Sequence, residues 1–276
     1  MSAQPALIAA IKRLKDAGIE DAPRDARLLL AEAMGVEATR LTLHLHDPFT
    51  SEAQARFDAF TEARAARKPV SQILGRRDFY GRMFKVTSAV LDPRPETETL
   101  VEAALAQPFS TVLDLGTGSG AILITVMKEG AAKGMAPIGL GVDLSMDALR
   151  VAEENASAHD VAATFKHSNW FSAVEGRFDL IMSNPPYIRA DEMADLSPEV
   201  RDHEPRMALT PEGDGLDPYR VIAAESQPYL NVDGRIIVEF GVTQHAAVRE
   251  IFETAGFVEK QALFDLTARV RGAIYG

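Results

Sequence analysis

From Thr111 onward the chain alternates short apolar runs with amphipathic ones, and this rhythm restricts the fold more than any other feature. TVLDL (111–115), IGLGVDL (138–144), FDLIMS (178–183) and GRIIVEF (234–240) read as buried strands. ILITVMKEG, MDALRVAEENASA, PYRVIAAESQ and TQHAAVREIFETAG read as helices between or after them. Strands joined through helices run parallel, so the spacing predicts an α/β fold with a doubly wound, mostly parallel sheet. Such sheets take their ligands beyond the carboxyl ends of the strands.

The first 68 residues have a different texture. Leu7, Ile11 and Leu14 recur at helical spacing and stop at Gly18, and a second helix with Pro23 near its first turn ends at Gly35. A third begins at Ser51, a good N-cap, carries Phe57 and Phe60, and stops before Pro69. Gly75 and Gly81 bracket a hairpin in SQILGRRDFYGRMFKV, followed by the proline-studded LDPRPETETL. A length of 276 residues suits two domains better than one. The expected organisation is a helical bundle over 1–70, a β-hairpin linker over 71–92 and the α/β domain over 93–276.

Charge and composition exclude several classes. The formal net charge is −11, against a chain whose main business is gripping nucleic-acid phosphates. Residues 1–70 hold ten basic and ten acidic side chains, so the whole imbalance falls on 71–276. No apolar run reaches the roughly 18 residues a membrane span requires, and Lys12 and Arg13 interrupt any signal-peptide core. The absence of cysteine rules out disulfides and thiolate chemistry and fits a reducing compartment, so the expected location is cytoplasmic. The six histidines are scattered, with no i, i+4 pair and no HExxH, and no metal is expected.

Three motifs carry chemistry. Asp114-Leu115-Gly116-Thr117-Gly118-Ser119-Gly120 ends one strand and opens a helix, where glycines let the backbone turn sharply near a ligand and the helix start offers free N–H groups. It lacks the lysine of a phosphate loop and departs from GxGxxG, so phosphate is not the favoured ligand. Asp143 ends the next strand; it can accept both hydroxyls of a ribose, or it can cap the helix from Met146. Asn184-Pro185-Pro186-Tyr187 follows FDLIMS. Two prolines stiffen that loop, Asn184 offers an amide and Tyr187 a flat face, a clamp suited to a planar amide or amine; a proline-rich turn explains the prolines alone.

Together DLGTGSG, GVD and NPPY resemble the class I S-adenosylmethionine-dependent methyltransferases that modify amino groups. GRRDFYGRMF, DPRPETETLVE, NWF, EVRDHEPRMAL and GDGLDPYRVI are similar to the peptide chain release factor glutamine methyltransferases, the HemK/PrmC family, over nearly the whole chain. The resemblance implies that Asp114, Gly116, Thr117, Gly118, Ser119, Gly120, Asp143, Trp170 and Asn184 bind S-adenosyl-L-methionine and its product S-adenosyl-L-homocysteine. It implies that Asn184, Pro185, Pro186 and Tyr187 hold the substrate glutamine of a release factor, with the helical domain recognising that protein and no nucleic acid bound. Two departures stand out: Asn169 where the family has an acid before Trp-Phe, and Asp92 where it has an aliphatic residue.

Glu96 and Glu98 read as helix-capping or linker-holding acids before they read as a catalytic pair, and Phe79 and Tyr80 as hairpin core before ligand contacts. Arg201 to Arg206 reads as a polar, partly structural segment near the substrate loop. A DNA adenine-N6 methyltransferase would use the same clamp on a flipped base, but it needs a basic face and a target-recognition insertion. A ribosomal-protein glutamine methyltransferase would share all the chemistry. An S-adenosylmethionine-binding scaffold would not need the clamp.

Overall fold

A computed structural model describes residues 2–276. The chain forms two compact units: one runs to Arg76 and takes in Ser197–His203, and the other comprises Arg77–Leu196 and Glu204–Gly276. The boundary between the units falls after Arg76, at the start of the hairpin. Phe79 and Phe84, on its two strands, are buried in the core of the second unit and meet edge to face at 6.1 Å.

The first unit contains α1 (Ala3–Asp16), α2 (Ala22–Met34), α3 (Leu41–His44), α4 (Ser51–Ala65) and α5 (Val70–Leu74). Leu7 and Leu14 of α1, Leu29 and Leu30 of α2, Leu41 and Phe57 share one apolar core. Gly35 ends α2 in the left-handed region at φ +69°, and the N–H groups of Gly35 and Val36 bond back to Glu32 and Ala31, so the last carbonyls are satisfied. The cap of α4 is Thr50, whose hydroxyl accepts the Ala53 N–H at 3.1 Å; Ser51, expected there, is already helical. Ser197–His203 joins this unit through ion pairs from Arg64 and Arg67 to Glu199 and a bond from Gln72 to the His203 carbonyl.

The second unit opens within β1 (Arg76–Phe79), whose first residue belongs to the first unit, and continues into β2 (Arg82–Lys85), the two joined by Tyr80 and Gly81 at φ +53° and +70°. Positive φ at both positions matches the turn to the twist of the strands. Then follow α6 (Glu98–Leu105), β3 (Thr111–Leu115), α7 (Ala121–Ala132), β4 (Ile138–Asp143), α8 (Met146–Ala158), β5 (Thr164–His167) and β6 (Phe178–Ser183). After β6 come α9 (Pro198–Arg201), which belongs to the first unit, α10 (Arg206–Leu209), α11 (Asp217–Glu225), β7 (Leu230–Glu239), α12 (His245–Thr254), β8 (Glu259–Phe264) and β9 (Val270–Tyr275).

The sheet order is β5-β4-β3-β6-β7-β9-β8, parallel from β5 to β7 and antiparallel over the last two strands. Alternate residues of each strand serve opposite faces. Val112, Leu180 and Ile237 pack with α6 and α7 on one side, and Leu113, Ile181 and Val238 with α11 and α12 on the other. From β3 the chain winds outward through β4 and β5, then returns to β6 on the other flank. The switch point therefore lies between β3 and β6, where an open sheet leaves a crevice.

Candidate active site

The glycine loop leaves β3 at that crevice. Gly116 and Gly118 hold φ of +69° and +55°, and a Cβ on either would meet only open space, so glycine serves here for backbone conformation. Gly120, at φ +77°, serves packing as well: a Cβ there would lie 2.8 Å from Ile124 and 3.2 Å from the Ala152 side chain. The N–H groups of Gly116 and Thr117 both bond the Val142 carbonyl at 2.9 Å, tying the loop to β4.

Asp143 ties the same two elements through its side chain. One carboxylate oxygen accepts the Gly118 N–H at 2.9 Å and the other the Ser145 N–H at 2.8 Å. Ser145 caps α8, its hydroxyl accepting the Ala148 N–H, so Asp143 is not the cap. Each oxygen keeps a lone pair for a further donor. Burial raises the pKa of this carboxyl above the ordinary range, opposed by the backbone donors of Ser145 and Gly118. Asp114 lies fully buried beneath the loop, accepts the Thr117 hydroxyl at 2.7 Å, and has its other oxygen without a hydrogen-bond partner. Burial pushes it up to about 7, against the pull of Thr117 and with a push from Asp143.

Across the crevice, the Ser183 hydroxyl at the end of β6 donates to the Leu115 carbonyl at 2.8 Å, which sets Asn184 beside the glycine loop. The loop after it is pinned from behind: Gln244 donates to the Tyr187 carbonyl at 2.9 Å, and a Cβ on Gly215 would fall 2.4 Å from that oxygen. Asn184 donates its amide N–H to the Thr97 hydroxyl at 3.1 Å, and Thr97 donates to Glu239 at 2.6 Å. Glu239 is 2% exposed and is pushed up to about 7 by burial. The Tyr187 hydroxyl lies 3.4 Å from the other oxygen of Glu239, and burial followed by that carboxylate raises its pKa well above the ordinary phenol value.

One cavity of ≈ 720 Å³ joins the two loops, within the range of small-molecule and cofactor sites. Gly116, Thr117, Gly118, Ser119, Asp143, Trp170, Asn184 and Pro186 line it. Asp114, Gly120, Pro185 and Tyr187 are not among the residues that line it. Trp170 holds a left-handed backbone at φ +52°, its carbonyl fixed by the Ser168 hydroxyl at 2.7 Å, while Asn169 beside it is exposed. Phe79 is both hairpin core and cavity wall. Glu98 accepts the Tyr80 N–H at 2.8 Å and so holds the hairpin, and Asp92 is buried on the cavity wall.

Thr97 and Glu239 escaped the sequence reading. The only signal for them was a threonine inside PRPETETL and an acid directly after the apolar run Ile236, Ile237 and Val238. The mostly apolar wall, a carboxylate able to accept hydroxyls, and glycines leaving room above the loop together fit S-adenosylmethionine as the group held here. Among the described residues no group of three or more His, Asp or Glu side chains could hold a metal ion, and no helix is long and apolar enough to cross a membrane.

Comparison with known proteins assigns both units. Residues 5–75 match the PrmC N-terminal domain family and residues 91–267 the methyltransferase small domain family. A release factor glutamine methyltransferase from Cereibacter sphaeroides is 55% identical over 273 residues, covering 98% of this chain and 97% of that protein. Another from Agrobacterium fabrum is 43% identical over 269 residues, covering 94% and 92%. A methyltransferase from Pyrococcus furiosus, 17% identical with a TM-score of 0.54, covers 78% of this chain and 98% of its own and shares the fold. With its glycine loop and Asn184 on one cavity at the switch point and relatives of this similarity along nearly its full length, the chain belongs to the release factor glutamine methyltransferase family.

Proposed function

We propose that the protein transfers a methyl group from S-adenosylmethionine to the side-chain nitrogen (N5) of the glutamine in the Gly-Gly-Gln loop of a peptide chain release factor. The observation that carries this reading is the seam between Leu115 and Ser183, which sets a cofactor-type loop and an amide clamp on one cavity. The names of the full-length relatives supply the substrate class. A cytoplasmic site of action goes with that substrate.

An amide nitrogen is a weak nucleophile because its lone pair is delocalised into the carbonyl, so holding it in line is most of the catalytic problem. The Asn184 side-chain oxygen and the Pro185 carbonyl each accept one N–H of the substrate amide. Asp143 accepts the ribose hydroxyls of the cofactor, while Gly116 to Ser119 let the backbone approach it. S-adenosylmethionine, when bound, supplies a methyl group already activated on a sulfonium. With the methyl group supplied in this way, the substrate nitrogen would need no base beforehand and would give up its proton to solvent after alkylation. Tyr187, backed by Glu239 and Gln244, keeps the loop rigid.

A loop glutamine offers few contacts, so selectivity needs a second surface, and residues 1–70 supply it. The test is incubation of the purified protein with labelled cofactor and, separately, folded release factor, ribosomal protein and duplex DNA. Mass spectrometry is expected to find one methyl on the Gly-Gly-Gln glutamine. A methyl on ribosomal protein or adenine, with release factor untouched, overturns the substrate and leaves methyl transfer standing.

A further inference from the structure

The clamp works only if the Asn184 amide faces the substrate with its oxygen. A side-chain amide has two nearly isosteric ends, and shape alone does not choose between them. Reversed, it would turn its NH₂ toward the substrate NH₂, donor against donor.

We propose that Thr97 and Glu239 are positioning residues that set the polarity of Asn184, by a directed chain in which Thr97 donates to Glu239 and therefore must accept from the asparagine. This rests on Asn184 holding the substrate amide. A hydroxyl has one proton. At 2.6 Å the Thr97 proton goes to Glu239, which leaves a lone pair for the Asn184 NH₂ at 3.1 Å and sends the asparagine oxygen to the cavity side. Thr97 and Glu239 are held in place, since Thr97 is 3% and Glu239 2% exposed and the Tyr187 hydroxyl lies 3.4 Å from the second carboxylate oxygen. Protonated, Glu239 becomes a donor toward Thr97, whose own proton then turns to Asn184 and favours the reversed amide.

The groups that act on Glu239 come from every neighbouring element. They are Thr97 and Glu96 of the Pro95–Thr97 turn, Tyr187 of the clamp loop and Arg271 of β9; Tyr219 of α11 donates to its backbone carbonyl. Glu96 opposes ionisation, while Thr97, Arg271 and Tyr187 favour it, and burial outweighs them so that the carboxyl titrates near 7.

The experiment reads kcat, KM and cofactor Kd separately. Thr97→Val, which removes the hydroxyl at constant volume, is expected to lower kcat about tenfold or more while cofactor Kd and release-factor KM stay within about twofold. Thr97→Ser is expected to restore kcat to within about threefold. On an Asn184→Ala background Thr97→Val should add no further loss, because the chain ends at the asparagine. The kcat profile should fall on the acid side near pH 7, a limb absent in Glu239→Gln and kept in Asp114→Asn, and carbon-13 NMR should place the Glu239 titration at the same pH. A Thr97→Val enzyme with wild-type kcat, or folded Thr97→Ser without recovery, overturns the chain while the clamp stands. Wild-type turnover by Asn184→Ala overturns the clamp itself.

Discussion

Asn155 pairs with Lys85 as one strand residue pairs with another. Its side-chain oxygen accepts the Lys85 N–H at 2.7 Å, and its NH₂ donates to the Lys85 carbonyl at 3.0 Å. The same NH₂ also donates to the Ser119 carbonyl at 2.9 Å, so one buried amide on α8 joins the hairpin edge to the glycine loop. Asn155→Ala strands three backbone groups, and a loss of about 2–4 kcal/mol in urea denaturation is expected. Calorimetry should show weaker cofactor binding as well, since the loop loses its anchor.

Asp143→Ala should raise the cofactor Kd roughly ten- to a hundredfold by calorimetry, from the ~1.5–3 kcal/mol of hydrogen bonds to a charged group. The variant also frees Gly118 and Ser145, whose N–H groups bond the carboxylate. Asp143→Asn keeps one acceptor for them and should fall between. Unchanged affinity in both would remove the ribose assignment.

Asn184→Ala should cut the single-turnover rate by about a hundredfold or more, the scale of one positioned polar group in an active site. Cofactor Kd should change no more than about twofold, because the proposed contacts are to the substrate amide. A rapid-quench time course with cofactor in excess separates the two quantities.

Asp114→Asn should make stability less sensitive to pH. The wild-type carboxyl is pushed from 3.8 to about 7 when folded. Below about pH 4 it is protonated in both states and costs nothing; from about 4 to 7 the unfolded chain releases the proton while the folded one keeps it, and stability falls. Above 7 the loss is complete, on the order of a few kcal/mol. Melting curves from pH 4.5 to 8 should show the variant gaining on wild type up to about 7 and then running parallel.

Arg64→Ala should destabilise the helical unit. The guanidinium, 8% exposed, pairs with Asp25 at 2.7 Å and Glu199 at 3.0 Å. Its removal leaves both carboxylates without that partner, and about 3–5 kcal/mol is the usual scale for breaking a buried pair. Circular dichroism in urea should register it, and hydrogen exchange should show lost protection over Ser197–His203, the segment Glu199 anchors.

What could be read from the sequence was whatever a short stretch of chain decides for itself. Apolar runs of four to six residues between amphipathic ones marked β3, β4, β6 and most of β7, because a strand buried on both faces needs no polar side chain. The polar edge strand β5 and the antiparallel pair β8 and β9 carry no such run, and their places come from partners: β9 lies beside β7 only once β7 is there. The glycine loop, Asp143 and the Asn-Pro-Pro-Tyr stretch were legible because turn geometry and rigidity are written into adjacent residues. What supports them was not. Thr97 and Glu239 are 142 positions apart and Asn155 and Lys85 seventy, and residue type alone made none of them stand out. Only the packed sheet brings those side chains within hydrogen-bond distance, and only burial turns an ordinary threonine and glutamate into groups whose unmet bonds would be costly.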